Sequence, residues 1–292
     1  MGILSQLTMK NRSLLLLFLV LRVSCMFSQN HPAESAAHPQ PFILGHIDTL
    51  YSEVLGENRV LNIYLPNGYS PDSAATYPVI YLLDGAADED FIHIAGLVQF
   101  CSFPWVERLP PSILVGIANV ERRRDFTFPA AKDYQLPDFA AAFKEAFHNS
   151  GGSSKFMAFV EKELQPFIAK TYKINGSNML IGQSLAGLFA TEILLKKPQL
   201  FKDYVIMSPS LWWDNASLLT QMPVAPAPNT RVYIAVGKEG KMMVGDAKKL
   251  ARLIKKNHVP EQVFFEYLPD EDHGTILHPA VGNAFKLWFG KK

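Results

Sequence analysis

Short runs of β-branched, aliphatic or aromatic residues recur along the chain at 42–54, 60–65, 79–83, 113–117, 178–181, 204–207, 232–236 and 263–268, and each predicts a strand. Helical spacing fills several of the gaps. Phe156, Phe159, Val160, Leu164, Phe167 and Ile168 recur at three and four residues, the signature of an amphipathic helix, with Pro166 expected to kink or break it. Further helices are expected over residues 185–196, stopped by Pro198, over 246–256 and over 279–289. Interior runs such as Val79, Ile80, Tyr81, Leu82 and Leu83 are apolar without alternation, as strands are when helices cover both faces of a parallel sheet. The first two runs precede any helix and read as an antiparallel hairpin at the sheet edge. The pattern is that of an α/β protein with a mostly parallel central sheet and helices on both faces. No repeat or linker divides it. Residues 222–228, rich in Pro and Ala, read as a surface connection, and residues 42–292 as a single domain.

The amino terminus follows a different rule. Residues 1–28 contain no acidic residue, carry Lys10 and Arg12, and run through eight apolar residues, 14–21, before Arg22 interrupts. Eight residues are too few for a helix to cross a bilayer, so no stable membrane span is expected. A basic start, a short apolar run and small residues after it (Ser24, Ser28) make residues 1–28 a secretory signal peptide, which implies a periplasmic or secreted mature chain. A lipid anchor at Cys25 is disfavoured, because Arg22 stands where a lipoprotein signal wants an aliphatic residue. Residues 29–41, rich in Ala, His, Pro and Ser, read as a flexible lead-in.

Composition narrows the classes further. With 292 residues and 48% apolar content the chain can bury a sizeable core. Lys plus Arg total 28 against 27 Asp plus Glu, for a net charge of +1, and the longest basic run is Arg122 to Arg124. A nucleic-acid partner recruited by bulk charge is therefore not expected. The two cysteines, Cys25 and Cys101, offer neither a disulfide framework nor a C-x-x-C metal spacing.

The residues that carry chemistry centre on 178–187. A buried strand ends at Gly182, a helix begins near Leu185, and Ser184 occupies the turn between them. In that context a serine is held on a nucleophile elbow, its Oγ raised above the sheet and near a helix N-terminus. Ala186 stands where the pattern G-x-S-x-G has its second glycine, and Gly187 follows. A serine nucleophile needs a base and a group that orients the base. In this chain order both partners follow the serine, which leaves His258, His273 and His278. His273 is favoured, because it lies in the loop after the last strand. Glu239, just beyond the C-terminal end of the 232–236 strand, is the favoured acid. Asp246 is the alternative, ahead of Asp270 and Asp272. The oxyanion hole needs two backbone amides. Leu185 would supply one, and Gly85 or Ala86, after the 79–83 strand, the other. Trp212 and Trp213 would stack on an aromatic or sugar-like group, and Arg124 would grip an anionic one.

Taken together, several stretches resemble one family. They are Leu83-Asp84-Gly85 after its strand, Val115-Gly116-Ile117-Ala118-Asn119, Arg124-Asp125-Phe126-Thr127-Phe128-Pro129, Gly182-Gln183-Ser184-Leu185-Ala186-Gly187, Ser208-Pro209-Ser210-Leu211-Trp212-Trp213 and Asp272-His273-Gly274. With these the chain, from about His46 onward, resembles the esterase family of α/β hydrolases that includes the enterochelin and salmochelin esterases, ferri-bacillibactin esterase and, more distantly, esterase D. The resemblance implies the α/β-hydrolase fold, Ser184 as nucleophile, His273 as base, Glu239 as acid and Gly85 beside the oxyanion hole. It implies hydrolysis of a carboxylic ester through an acyl-enzyme, without metal or organic cofactor. The expected partner is a small-molecule or polysaccharide-linked ester, with siderophore esters among the candidates. An acyltransferase of the same fold, and a binding protein that kept the fold without the chemistry, are the alternatives.

Overall fold

The computed structural model describes residues 40–225, 227 and 229–291. The signal peptide expected over 1–28, most of the 29–41 lead-in and Cys25 lie outside the described residues. The architecture belongs to the unit Leu44–Lys292.

Eight strands form one sheet: β1 His46–Ser52, β2 Glu57–Tyr64, β3 Tyr77–Leu82, β4 Ile113–Ile117, β5 Ile174–Gln183, β6 Asp203–Met207, β7 Arg231–Gly237 and β8 Val263–Leu268. Their order across the sheet is β1-β2-β4-β3-β5-β6-β7-β8. The pairs β1/β2 and β2/β4 are antiparallel, and every pairing from β4 through β3 to β8 is parallel. The edge hairpin, the parallel centre and the α/β-hydrolase arrangement are as expected. The helices are α1 Phe91–Cys101, α2 Arg122–Phe126, α3 Asp138–Ala141, α4 Ser153–Phe159, α5 Gln165–Thr171, α6 Leu185–Lys196, α7 Gly240–Asn257 and α8 Leu277–Phe289. Side chains alternate across β3: Val79, Tyr81 and Leu83 pack with α4, α5, α6 and α7, while Ile80 and Leu82 pack with α1 and α8. Burial on both faces is why this strand reads as an unbroken apolar run.

Several boundaries differ from the sequence expectation, each for a physical reason. The first strand begins at His46 rather than at residue 42, and β5 starts four residues earlier than the apolar run, its exposed first half being polar. Pro166 does not break its helix. The backbone stays helical from α4 into α5 through a π-helical turn, Val160–Leu164, and Pro166 falls in the first turn of α5. The wider turn accommodates the missing N–H and the ring. Helix α7 begins six residues before the expected 246, its start masked in the sequence by Gly240 and Gly245. Among the described residues no helix is long and apolar enough to cross a membrane.

A parallel sheet delivers the C-terminal ends of its strands to one edge, where open α/β folds bind ligands. Here that edge collects Asp84-Gly85-Ala86 after β3, Ser184 after β5, Ser208 after β6, Glu239 after β7 and His273 after β8.

Candidate active site

Ser184 sits between β5 and α6 with φ 60° and ψ −121°, a backbone state that costs of order 1–3 kcal/mol for a side-chain-bearing residue. The surroundings hold it there. Its amide donates to the Met207 carbonyl at 3.0 Å, and its carbonyl accepts from the amides of Leu188 at 2.9 Å and Ser210 at 3.0 Å. The elbow is tight enough to require glycine at two positions. A Cβ on Gly182 would lie 2.6 Å from the Ala186 carbonyl oxygen, and one on Gly187 would lie 2.9 Å from that of Met207. Ala186 is itself fully buried. The departure from G-x-S-x-G is thus accommodated, because the crowded position after the serine is 187 rather than 186.

The 270–274 loop carries His273 back over the elbow. Its Nε2 lies 3.0 Å from Ser184 Oγ, and its Nδ1 lies 2.5 Å from Glu239 Oε2. With the proton on Nδ1, the ring donates to the carboxylate and presents Nε2 as an acceptor toward the serine. The His273 carbonyl accepts from Gln183 Nε2, which ties the loop to the end of β5. Gly237 seats this loop closely: a Cβ there would meet the Glu271 carbonyl oxygen at 2.6 Å.

Glu239 is only 5% exposed, whereas the His273 side chain is 48% exposed. Burial by itself pushes the Glu239 carboxyl upward. Hydrogen bonds from His273 and Ser208, the charge of His273 and the Gly237 amide outweigh that effect and hold it below its ordinary value. The other candidates are engaged elsewhere. Asp246, on α7, pairs with Lys249 at 2.9 Å. Asp272 Oδ1 accepts from the amides of Gly274 and Thr275 and so shapes the loop. His258 Nε2 meets the Thr230 carbonyl at 2.6 Å, and His278 pairs with His93 at 2.7 Å.

Of the expected oxyanion donors, Leu185 lies in the first turn of α6, where amides have no intrahelical acceptor. Gly85 is a correction. Its amide donates to the Ile117 carbonyl at 3.0 Å, so it has none to offer a substrate. Its glycine character instead serves close packing, since a Cβ would fall 2.4 Å from Gly116 Cα. The Ala86 amide meets Glu89 Oε2 in a long 3.3 Å contact. Asp84, at φ 55°, anchors this loop through two bonds from Arg122, at 2.6 and 2.7 Å, and one from Asn119 at 2.7 Å.

A cavity of about 720 Å³ opens beside Ser184 and His273. Phe139, Phe143, Phe147, Trp212, Met242 and Met243 form its apolar wall, with Arg122, Arg123 and Lys238 among its polar lining. Trp212 thus lines the cavity. Trp213 does not: it is buried, stacks on Phe147 and donates its Nε1 to the Phe128 carbonyl at 2.9 Å. Arg124 is likewise displaced, because Glu57 and Asp125 take its guanidinium and join it to the buried Arg59. Its neighbour Arg123 does line the cavity, and its guanidinium lies 5.2 Å from the Phe147 ring centroid. Its Nε has no hydrogen-bond partner among the described residues. The phenylalanines at 139, 143 and 147 went unnoticed in the sequence, although their four-residue spacing was a signal. Phe139 lies on α3 and Phe147 on a 3₁₀ turn at Lys144–Phe147, each element four residues long, and Phe143 sits between them. Among the described residues no cluster of three or more His, Cys, Asp or Glu could hold a metal ion.

Comparison with known proteins returns a consistent set. A family model described as "Putative esterase" matches residues 52–278. The ferri-bacillibactin esterase of Bacillus subtilis is 34% identical over 171 residues, 56% of this chain and 58% of that one, so the match spans less than two thirds of that relative's length. The apo-salmochelin esterase of Escherichia coli is 28% identical over 240 residues, covering 75% of this chain and 71% of that one. Among solved structures, an IroE-like serine hydrolase from Shewanella oneidensis superposes with a TM-score of 0.72 at 28% identity, over 84% of this chain and 80% of the other.

Proposed function

Because the chain belongs to the esterase family whose model covers residues 52–278, we propose that it is a serine esterase which cleaves carboxylic esters through an acyl-enzyme on Ser184. The observation that carries this reading is the unbroken hydrogen-bonded series from Ser184 Oγ through both nitrogens of His273 to Glu239, at 3.0 and 2.5 Å. In the first half-reaction His273 Nε2 takes the hydroxyl proton as Oγ attacks the ester carbonyl. Glu239, held ionised, stabilises the imidazolium that forms. The Leu185 amide, with that of Ala86 once it exchanges Glu89 for substrate, faces the developing oxyanion. His273 then protonates the leaving alcohol. In the second half-reaction the same ring deprotonates a water that releases the acid.

The cavity supports a substrate class. An aromatic and methionine wall favours a planar apolar group. Arg123 and Lys238 have no carboxylate partner among the described ion pairs, so they offer positive charge to an anionic one. Aromatic esters that carry negative charge, the chemistry of catecholate siderophores, fit both features, and the relatives include a ferri-bacillibactin esterase and a siderophore enterobactin esterase. Export follows from the basic, apolar and small-residue succession of residues 1–28.

The test is fluorophosphonate labelling mapped by mass spectrometry, alongside hydrolysis of p-nitrophenyl acetate and of a catecholate ester. A label on Ser184, turnover lost in Ser184→Ala, and a higher kcat/KM on the catecholate ester are expected. Turnover unchanged by the substitution would refute the reading, and equal rates on aliphatic and catecholate esters would refute the substrate class.

A further inference from the structure

Ser208 follows β6 and is fully buried, yet it holds φ at 42°, in the left-handed region where glycine is the inexpensive choice. Its amide donates to the Ala235 carbonyl at 2.8 Å, as a glycine amide could. What glycine could not supply is the hydroxyl, and among the described residues that hydroxyl has one partner: it donates to Glu239 Oε1, the carboxylate oxygen opposite the one that meets His273. The Gly237 amide reaches the same Oε1 at 3.1 Å. Glu239 is thus gripped on one side by two donors while its other oxygen faces the imidazole. Ser208 is absent from the cavity lining, so a substrate does not meet it.

Resting on the serine esterase reading above, we propose that Ser208 is a positioning residue for the reaction, one that fixes the Glu239 carboxylate and moderates its basicity toward His273. Two consequences follow. Without the hydroxyl, Oε1 keeps only the Gly237 amide, the carboxylate can rotate, and His273 loses the fixed orientation that directs Nε2 at Ser184. The carboxylate also carries more undelocalised charge, which favours the imidazolium more strongly. The acid limb of the pH–rate profile then moves to higher pH.

Ser208→Gly is the decisive variant, since glycine adopts this φ without strain and folding is not put at risk; Ser208→Ala accompanies it. Each is measured for kcat and KM on p-nitrophenyl acetate from pH 5 to 9, with thermal unfolding and Ser184→Ala run in parallel. For Ser208→Gly the expected result is a kcat about three- to tenfold lower, a part of what one hydrogen bond to a charged group is worth because the Gly237 amide still holds Oε1, at unchanged KM and with a cooperative unfolding transition retained. The acid limb should shift upward by roughly half a pH unit. A profile and kcat that superpose on wild type, with Ser184→Ala inactive, would overturn the role of Ser208 and leave the esterase reading standing. Turnover retained in Ser184→Ala would overturn both.

Discussion

Glu239 immediately precedes α7 and Asp246 lies within it, seven residues on, and only Glu239 reaches His273. In the proposed mechanism Glu239 contributes orientation and charge rather than bond-making, so Glu239→Gln should lower kcat by about 10²- to 10⁴-fold while leaving the fluorophosphonate site intact. Asp246→Asn breaks a pair whose lysine is 60% exposed, and turnover should stay within about twofold of wild type. Steady-state kinetics on the two variants separates the assignments. Arg123 lends itself to a similar contrast. Its guanidinium, without a carboxylate partner among the described residues, lines the cavity, so Arg123→Met should raise KM about tenfold for an anionic aromatic ester, as losing one charged contact would, and leave KM for a neutral ester of the same shape unchanged. An equal rise for both would mean that Arg123 shapes the wall and does not read charge.

Crowding sets what each element tolerates. At the elbow between β5 and α6, a methyl on Gly182 would sit 2.6 Å from a backbone oxygen, and backbone can only yield by opening the turn. Gly182→Ala should cost about 1–3 kcal/mol as an overpacked site, lower Tm by roughly 3–10 °C, and slow fluorophosphonate labelling, all three read on the same preparation. The same geometry explains what could be read in advance. The interior strands and the turn around Ser184 were legible, because double-sided burial writes continuous apolar runs and an elbow demands small residues around one serine. Helix α1 was not, since Phe91–Cys101 is apolar nearly all round and shows little helical contrast. Trp212 and Trp213 could not be told apart by sequence, because adjacent residues leave a turn in different directions, and here one enters the cavity and the other the core. Arg123 and Arg124 divide in the same manner. The Gly85 amide escaped prediction because its partner, Ile117, belongs to β4, a strand beyond the reach of local spacing.

Over the whole molecule, ionisation divides carboxylates into two opposing groups. For Glu57, burial pushes the carboxyl upward, but its bonds to Arg124 and Arg59 outweigh that and hold it below its ordinary 4.5; Glu239 is held low as well. A depressed carboxyl contributes stability above its unfolded pKa and loses it as pH falls through the folded value. Both groups therefore weaken the fold below about pH 4.5. Asp90 acts in the other direction. Burial, then the charges of Asp84 and Glu89, raise it from 3.8 to about 6 despite Arg122. The native state therefore binds a proton there that the unfolded chain has released, and stability declines as pH rises from about 4 to about 6. Asp90 precedes α1, and its amide donates to the Asp84 carbonyl at 3.2 Å. Replacing it with Asn should remove the decline, adding of the order of 1 kcal/mol at pH 7 once solvent screening is allowed for and almost nothing at pH 4. Urea unfolding of wild type and Asp90→Asn at both pH values tests this. A gain of equal size at pH 4 and pH 7 would assign it to packing and remove Asp90 from the account of acid stability.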